Sequence, residues 1–337
     1  MEIRVTRARR VFSDGKHNAF TGIAAVRDKV FIAFRSGPDH GSVIEGTIKV
    51  LASTDAENWD LMAELRQPAP SDLRDPKVVA FGESLLLFCG ERRAKDAQRI
   101  SLVFRSTDGK TFGEPQAVRG LPEGHWLWHV QAHDGRLYGT AYNPCRGEYA
   151  VALYSSADGL DWEWVADFSV PGGETYLDFD REGVLWALAR HDDPGSGDHI
   201  PALCVAEPPY AKFRSVRRLP LNLQGPMIKR LEGGCVIACR QWDAPGRRNL
   251  RTDLFWLGDG QDLRRIRALP SGGDTSYAGW LDQGEGRALI SYYSSHEHKM
   301  DEPHSNNAVF EKDPAHAEHS TPADIFLAEI SYASAAG

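Results

Sequence analysis

The sequence predicts an all-β protein, a six-bladed β-propeller of four-stranded antiparallel blades closed by the N-terminal strand, on three observations. One turn pattern recurs at a period of about 50 residues, a polar or charged cluster opens a strand-like run in each period, and the runs between alternate apolar and polar as strands require. The turn pattern is Ser53-Thr54-Asp55-Ala56-Glu57-Asn58-Trp59, Ser106-Thr107-Asp108-Gly109-Lys110-Thr111-Phe112 and Ser156-Ala157-Asp158-Gly159-Leu160-Asp161-Trp162, at spacings of 53 and 50 residues. Each copy follows an alternating run and precedes another, so each is a hairpin turn. In such turns Ser and Asp bond backbone amides two or three residues on, Gly takes positive φ, and the aromatic packs back beneath. The role is structural.

The elements follow in order. Six units open at His17-Asn18-Ala19-Phe20, Leu73-Arg74-Asp75-Pro76, Trp126-Leu127-Trp128-His129, Gly173-Glu174-Thr175-Tyr176, Gln224-Gly225-Pro226-Met227 and Gly273-Asp274-Thr275-Ser276. Midway through each unit a Gly- or Asp-containing turn, such as His133-Asp134-Gly135, precedes a strongly apolar strand. Units four and five carry Ala206-Glu207-Pro208-Pro209 and Gly258-Asp259-Gly260 where the full turn pattern would stand. The sixth unit supplies three strands, ending at Ile325–Ile330. Its fourth is expected from Glu2-Ile3-Arg4-Val5-Thr6, which would tie the ring shut and remove an exposed edge. No linker divides the chain, so residues 1–337 read as one domain, with 298–322 a long polar loop of the last blade near the mouth of the ring.

Composition narrows the function. With 42% hydrophobic and 26% charged residues over 337 positions the chain is globular, and 39 basic against 47 acidic residues, a net charge of −8, argues against nucleic acid as partner. The N-terminus lacks the apolar core of a signal peptide, and no apolar run approaches a membrane span, so no membrane partner and a cytoplasmic location are expected. Cys89, Cys145, Cys204, Cys235 and Cys239 are odd in number and lack zinc spacing; they read as reduced strand residues. No cofactor is expected, and His296-Glu297-His298 lacks the spacing of a helical zinc site.

In a propeller the starts of the inner strands converge on a central mouth, which makes the opening clusters the candidate site. Arg74, Asp75, Trp128, His129, Glu174, Asp274 and Tyr277 all fall there, and Arg35, Arg190 and Arg240 end second strands. Trp126, Trp128, Tyr142 and Tyr292 are candidates to stack on sugar faces.

Six units with these turns, known as Asp-boxes, resemble the sialidase superfamily, and the resemblance covers nearly the whole chain. Gly173-Glu174-Thr175-Tyr176 through Ala189-Arg190 is similar to the family stretch that opens with the catalytic Glu and closes with an arginine of the carboxylate-binding triad. Gln224-Gly225 resembles the opening of the family's fifth unit. Arg248-Asn249-Leu250 resembles the site of the next triad arginine, with Arg247 and Arg251 as alternatives. Tyr277-Ala278-Gly279 stands where the family carries its nucleophilic tyrosine. The resemblance implies a general acid in the loop Gly37-Pro38-Asp39-His40-Gly41, Asp39 first and Glu45 second. It breaks at the first unit, where the family's Arg-Ile-Pro is replaced by His17-Asn18-Ala19-Phe20. Arg74-Asp75-Pro76 instead resembles an Arg-Asp-Pro of five-bladed glycosidases, whose Asp orients the sugar.

The chemistry can be argued from the residue types. Tyrosine is a poor nucleophile at its ordinary pKa near 10, and a neighbouring glutamate can take its proton. A neutral nucleophile suits an anionic sugar, which a carboxylate would repel and which arginines would clamp. The first expectation is therefore an exo-glycosidase acting on a small anionic or otherwise unusual carbohydrate, with Tyr277, Glu174 and Asp39 catalytic. Arg190, Arg248, Arg74, Asp75, Arg35, Arg240, His17, His40, Trp128, Asp274 and Tyr292 would bind substrate. Two alternatives stay open: a uronate lyase using His17, His40, His129, Tyr277 or His296 as base, and a glycan-binding propeller without catalysis.

Overall fold

The computed structural model describes the chain apart from residues 42–44, 69, 94–98, 145–149, 192–199, 244–247, 261, 299–321 and 334–337. The segment 298–322 and Cys145 therefore lie almost wholly outside the described residues; Cys89, Cys204, Cys235 and Cys239 are buried free thiols.

The described residues form an all-β propeller. After β1 (Glu2–Phe12) come β2 (His17–Val26), β3 (Lys29–Gly37), β4 (Glu45–Ser53) and β5 (Asp60–Leu65), then β6 (Ser71–Phe81), β7 (Ser84–Arg93), β8 (Arg99–Ser106) and β9 (Gln116–Ala117). A four-stranded sheet follows from β10 (Trp126–His133), β11 (Arg136–Tyr142), β12 (Val151–Ser156) and β13 (Glu163–Asp167). The next is β14 (Thr175–Phe179), β15 (Leu185–Ala189), β16 (Ala202–Ala206) and β17 (Arg214–Arg218). Then come β18 (Gln224–Leu231), β19 (Gly234–Asp243), β20 (Arg248–Gly258) and β21 (Leu263–Ala268). Last are β22 (Thr275–Gly284), β23 (Arg287–Ser294) and β24 (Asp324–Ala333), with β1 as the outer partner of β24.

The first two units depart from the expected separate sheets. Glu45 and Gly46 of β4 pair in parallel with Ser71 and Asp72 of β6, which merges β2 to β9 into one eight-stranded sheet. Gly46 permits this, because its bare backbone lies against the Asp72 carboxylate, in space that any Cβ would need. The inner strands β2, β6, β10, β14, β18 and β22 touch in succession, and β22 touches β2 again, which closes a ring.

Apolar packing between successive units supplies the core. Ile48 and Val50 of β4 meet Leu85 and Leu87 of β7; Leu86 and Phe88 meet Leu137 and Trp162; Ile228 and Ile237 meet Leu188 and Leu203. The seam between first and last units buries Ile32, Phe34, Leu289, Ile325 and Leu327 together. Strand alternation delivers these residues to both faces of each sheet, so every sheet packs on two neighbours.

The repeated turns hold by the bonds their sequences imply. Asp55 Oδ1 accepts from the amides of Glu57 and Asn58, Asp108 Oδ1 from Lys110 and Thr111, and Asp158 Oδ1 from Leu160 and Asp161, at 2.7–2.9 Å. These amide donors hold the Asp55 and Asp108 carboxyls far below the usual carboxylate range. Gly109 and Gly159 take φ of 69° and 81°, and Ala56 takes 57° at the matching place in the first turn.

The N-terminal strand runs along β24 from Glu2 opposite Ala333 to Phe12 opposite Ile325. Deleting residues 1–10 would strip that edge, take Ile3 out of the core and leave its neighbours Ala328 and Ile330 uncovered. The expected result is a Tm lower by roughly 5–10 °C, equivalent to a few kcal/mol, measured by differential scanning calorimetry; an unchanged Tm would show that the strand does not close the ring.

Candidate active site

The mouth is built by one backbone device used several times. The pairing register slips between Ala19 and Gly22 in β2, Arg74 and Lys77 in β6, Leu127 and His129 in β10, Gln224 and Met227 in β18, and Ser276 and Gly279 in β22. Four of these bulges place a residue at positive φ: Phe20 at 61°, Asp75 at 49°, Gly225 at 55° and Tyr277 at 51°. A bulge re-aims the side chain it carries, and non-glycine residues hold positive φ only where their surroundings over-determine it. Gly225 is required to be glycine, since a Cβ there would lie 2.8 Å from the Tyr277 ring.

Tyr277 and Glu174 meet in this mouth. The Tyr277 hydroxyl donates to Glu174 Oε1 at 2.7 Å, and Arg190 Nη1 donates to Glu174 Oε2 at 2.8 Å and to the tyrosine oxygen at 3.4 Å. Burial, reinforced by the Glu174 charge and opposed by Arg190 and Arg240, drives the Tyr277 pKa well above 10. The phenol is therefore neutral, its proton already directed at a carboxylate. Arg240 lies under the Tyr277 ring with its guanidinium 5.4 Å from the centroid, and Phe20 meets the ring edge-on at 4.9 Å.

A second network centres on Asp274. Its Oδ1 accepts from Arg240 Nη2 at 2.9 Å and from the Tyr293 hydroxyl at 2.8 Å, and its Oδ2 faces His17 Nε2 at 2.8 Å and His40 Nδ1 at 2.5 Å. Burial would raise the Asp274 pKa, yet the two imidazoles and Arg240 hold it well below the usual range. His40 is pushed down to about 4 by burial, against the pull of Asp274.

A third network joins the first two units. Asp72, fully buried, takes Arg35 Nε at 2.6 Å and Arg74 Nη1 at 3.2 Å; Arg35 also donates to the Asp39 carbonyl, and Arg74 to the His40 carbonyl. Arg74 covers the Phe20 ring at 5.0 Å, and Lys77 sits 4.9 Å above Trp128. Burial pushes the Asp75 carboxyl up to about 6, against the pull of Arg74 and Lys77. Below the mouth a cavity of about 290 Å³ is lined by Lys77, His129, Tyr176 and Trp280 among others, with the His129 ring tilted against Tyr176 at 3.7 Å between centroids.

Several candidates stand elsewhere. Tyr292 is fully buried, stacks on Phe326 and donates to the Pro270 carbonyl, so it is not at the mouth. Strand alternation sends it to the sheet face opposite Tyr293, which is the mouth residue. Trp128 is 1% exposed beneath Lys77, and Trp126 is buried beneath Arg99; neither presents a face for a sugar. Arg251 is committed to Asp243 and Asp253, Arg247 and the Arg248 side chain lie outside the described residues, and the fifth-unit arginine beside Tyr277 is Arg240. Asp39 turns its own loop, its carboxylate accepting from the Gly41 amide at 2.6 Å, and Glu45 is exposed. His296 packs on Phe326, Glu297 pairs with Arg10 and His298 with Asp324, so the three share no centre.

Asp72, Lys77, Phe20 and Tyr293 were not singled out by the sequence. The crowding of Asp72, Arg74, Asp75 and Lys77 into one strand that otherwise reads as core was the available signal. Among the described residues, His17, His40 and Asp274 form a cluster whose ligand atoms lie within 4.8 Å of one another. Asp274 already serves both imidazoles, Tyr293 and a guanidinium, and that cation opposes a metal ion, so the geometry fits a hydrogen-bonded network better.

No protein-family model matches the chain, and no curated protein matches it in sequence. Its fold is that of sialidases in the solved structures it resembles. Trypanosoma rangeli sialidase in complex with the inhibitor DANA aligns with a TM-score of 0.68 at 12% identity over 93% of this chain and 55% of that one. The same sialidase with sialic acid gives 0.63, 11%, 94% and 54%, and with 2,3-difluorosialic acid as a covalent intermediate 0.63, 12%, 92% and 54%. This chain thus spans about half the length of those neighbours.

One pH effect follows from the Asp274 network. The unfolded His40 takes up a proton near pH 6.5, the folded one only near 4, so between these values the unfolded state binds more protons and stability falls as pH falls. The urea midpoint of the wild type should therefore drop more from pH 6.5 to pH 4 than that of His40→Asn. Equal drops would show that His40 is not held neutral.

Proposed function

We propose that the chain is a sialidase-like exo-glycoside hydrolase that cleaves a small anionic glycoside with retention of configuration, Tyr277 acting as nucleophile and Glu174 as its base. One observation carries the reading: a buried, neutral phenol donates its proton over 2.7 Å to a carboxylate steadied by Arg190. Attack by the tyrosine oxygen on the anomeric carbon, with its proton passing to Glu174, would give a covalent glycosyl-enzyme that water then opens. The covalent complex of the Trypanosoma rangeli sialidase supports this by likeness of fold. We read the merged sheet as two blades joined by the β4–β6 pairing, which makes six blades with their inner strands around one mouth.

Charge favours an anionic substrate. Arg35, Arg74, Lys77, Arg190 and Arg240 outnumber Asp72, Asp75, Glu174 and Asp274, and Asp75 takes up a proton near pH 6, which widens the excess in mild acid. A sugar carboxylate would restore balance between Arg190 and Arg240, the pair flanking Tyr277. A second reading has one observation in its favour: His17 and His40 oriented by Asp274 form a His–Asp pair of the kind that abstracts protons, which suits a uronate lyase.

The test uses 4-nitrophenyl glycosides of N-acetylneuraminic acid, 2-keto-3-deoxynononic acid and glucuronic acid. Wild type should release nitrophenolate from at least one, and Tyr277→Phe should lower kcat at least ~1,000-fold with Tm nearly unchanged, because only a hydroxyl is lost. Absence of release from all three would overturn the reading. With a 4-O-linked uronic acid disaccharide as substrate, an unsaturated product absorbing in the near ultraviolet, formed by loss of the C5 proton and the C4 glycosyl group, lost in His17→Ala and kept in Tyr277→Phe, would establish the lyase.

A further inference from the structure

The proposed reaction needs a carboxyl that can give up a proton to the departing oxygen, and the mouth contains one on an unexpected element. Asp75 occupies a positive-φ bulge at the start of an inner strand, the same device that presents Tyr277. It is 7% exposed, and its Oδ1 is buried without a hydrogen-bond partner. A buried carboxyl oxygen without a donor is costly if charged, so the site favours the protonated acid. The groups acting on it are Arg74 and Lys77 from its own strand, which favour ionisation, and Glu174 and Asp72, which oppose it; Asp75 in turn acts on Tyr142, Tyr277 and Cys89. Burial wins and places its pKa about 6, while Tyr277 is held neutral beside Glu174. Two carboxyls whose surroundings set them different tasks are the mark of an acid and a base sharing one cleft. Asp39, by contrast, has its carboxylate bonded to the Gly41 amide and its carbonyl gripped by Arg35.

We propose that Asp75 is the proton donor of this site, a catalytic residue that protonates the leaving glycosidic oxygen and later takes a proton from the attacking water. This rests on the hydrolase reading above. In the first step the Tyr277 oxygen bonds to the anomeric carbon as its proton goes to Glu174, the glycosidic C–O bond breaks, and the leaving oxygen takes the Asp75 proton. In the second, water gives a proton to the Asp75 carboxylate, its oxygen bonds to the anomeric carbon, and Tyr277 departs to be reprotonated by Glu174. The sum is one water consumed and one glycosidic bond cleaved, with both carboxyls and the phenol restored.

The experiment compares the 4-nitrophenyl and methyl glycosides of whichever of the three sugar acids wild type cleaves. Nitrophenolate leaves with little help, whereas methoxide must be protonated. Asp75→Asn should cut kcat/KM for the methyl glycoside by about 100- to 10,000-fold and for the nitrophenyl glycoside by much less, while Asp39→Asn treats the two alike. The alkaline limb of the wild-type kcat/KM profile for the methyl glycoside, where Asp75 gives up its proton near pH 6, should also vanish. A methyl-selective loss in Asp39→Asn instead, or an equal loss on both substrates in Asp75→Asn, overturns the assignment and leaves the hydrolase reading standing. A wild type that hydrolyses none of the sugars overturns both. Carboxyl-carbon NMR of the unliganded protein decides the protonation separately: a signal titrating near pH 6 and missing from Asp75→Asn supports the donor, and one that has ionised by pH 4 rules it out.

Discussion

The mouth of this propeller is held by charge neutralisation in a place that excludes water. Arg35 and Arg240 are 0% and 1% exposed, and a guanidinium so placed is tolerable only against a carboxylate with its donors satisfied. Asp72 answers Arg35 and Arg74, Asp274 answers Arg240, and Glu174 answers Arg190. Two of these pairs also join one unit to the next: Arg35 of the first unit to β6 of the second, and Arg240 of the fifth to the start of β22 in the sixth. Breaking a pair would strand a buried charge, so binding chemistry and ring geometry are maintained by the same bonds.

That arrangement gives its groups unequal freedom. Asp274 is surrounded by donors and stays ionised, whereas Asp75 lacks a partner for one oxygen and keeps its proton up to about pH 6. Tyr277 is kept from ionising by burial, reinforced by the carboxylate that can later receive its proton. Burial, which penalises charge everywhere here, is thus converted into different protonation states by the placement of a few donors.

Much of this was legible in the chain. The period of about 50 residues, the turns at Asp55, Asp108 and Asp158, and the alternation of β1 marked the sheets, because hairpin turns and strand faces are local properties. Glu174, Tyr277, Arg190, Arg240 and Asp274 stood out for being polar where a strand turns inward. The merging of β4 with β6 was not legible, since it depends on Gly46 approaching a carboxylate from a distant unit. Nor was the choice of Tyr293 over Tyr292, where a bulge and one step of alternation decide which ring faces the mouth. The bulges left little trace: glycine announces positive φ at Gly225, but Phe20, Asp75 and Tyr277 adopt it through tertiary constraint alone.

Those bulges make the inner rim a set of sockets rather than a fixed inventory. An aromatic, a carboxyl, a bare glycine and a phenol occupy corresponding positions at Phe20, Asp75, Gly225 and Tyr277, so the backbone sets direction and leaves chemistry to the residue inserted. Single replacements at such positions can exchange a group aimed at the ligand without rebuilding a strand, which is an economical route to new specificities on an old ring. The freedom is uneven. The Gly225 socket is blocked by the ring of Tyr277, so this rim can diversify at the first and second units far more readily than at the fifth.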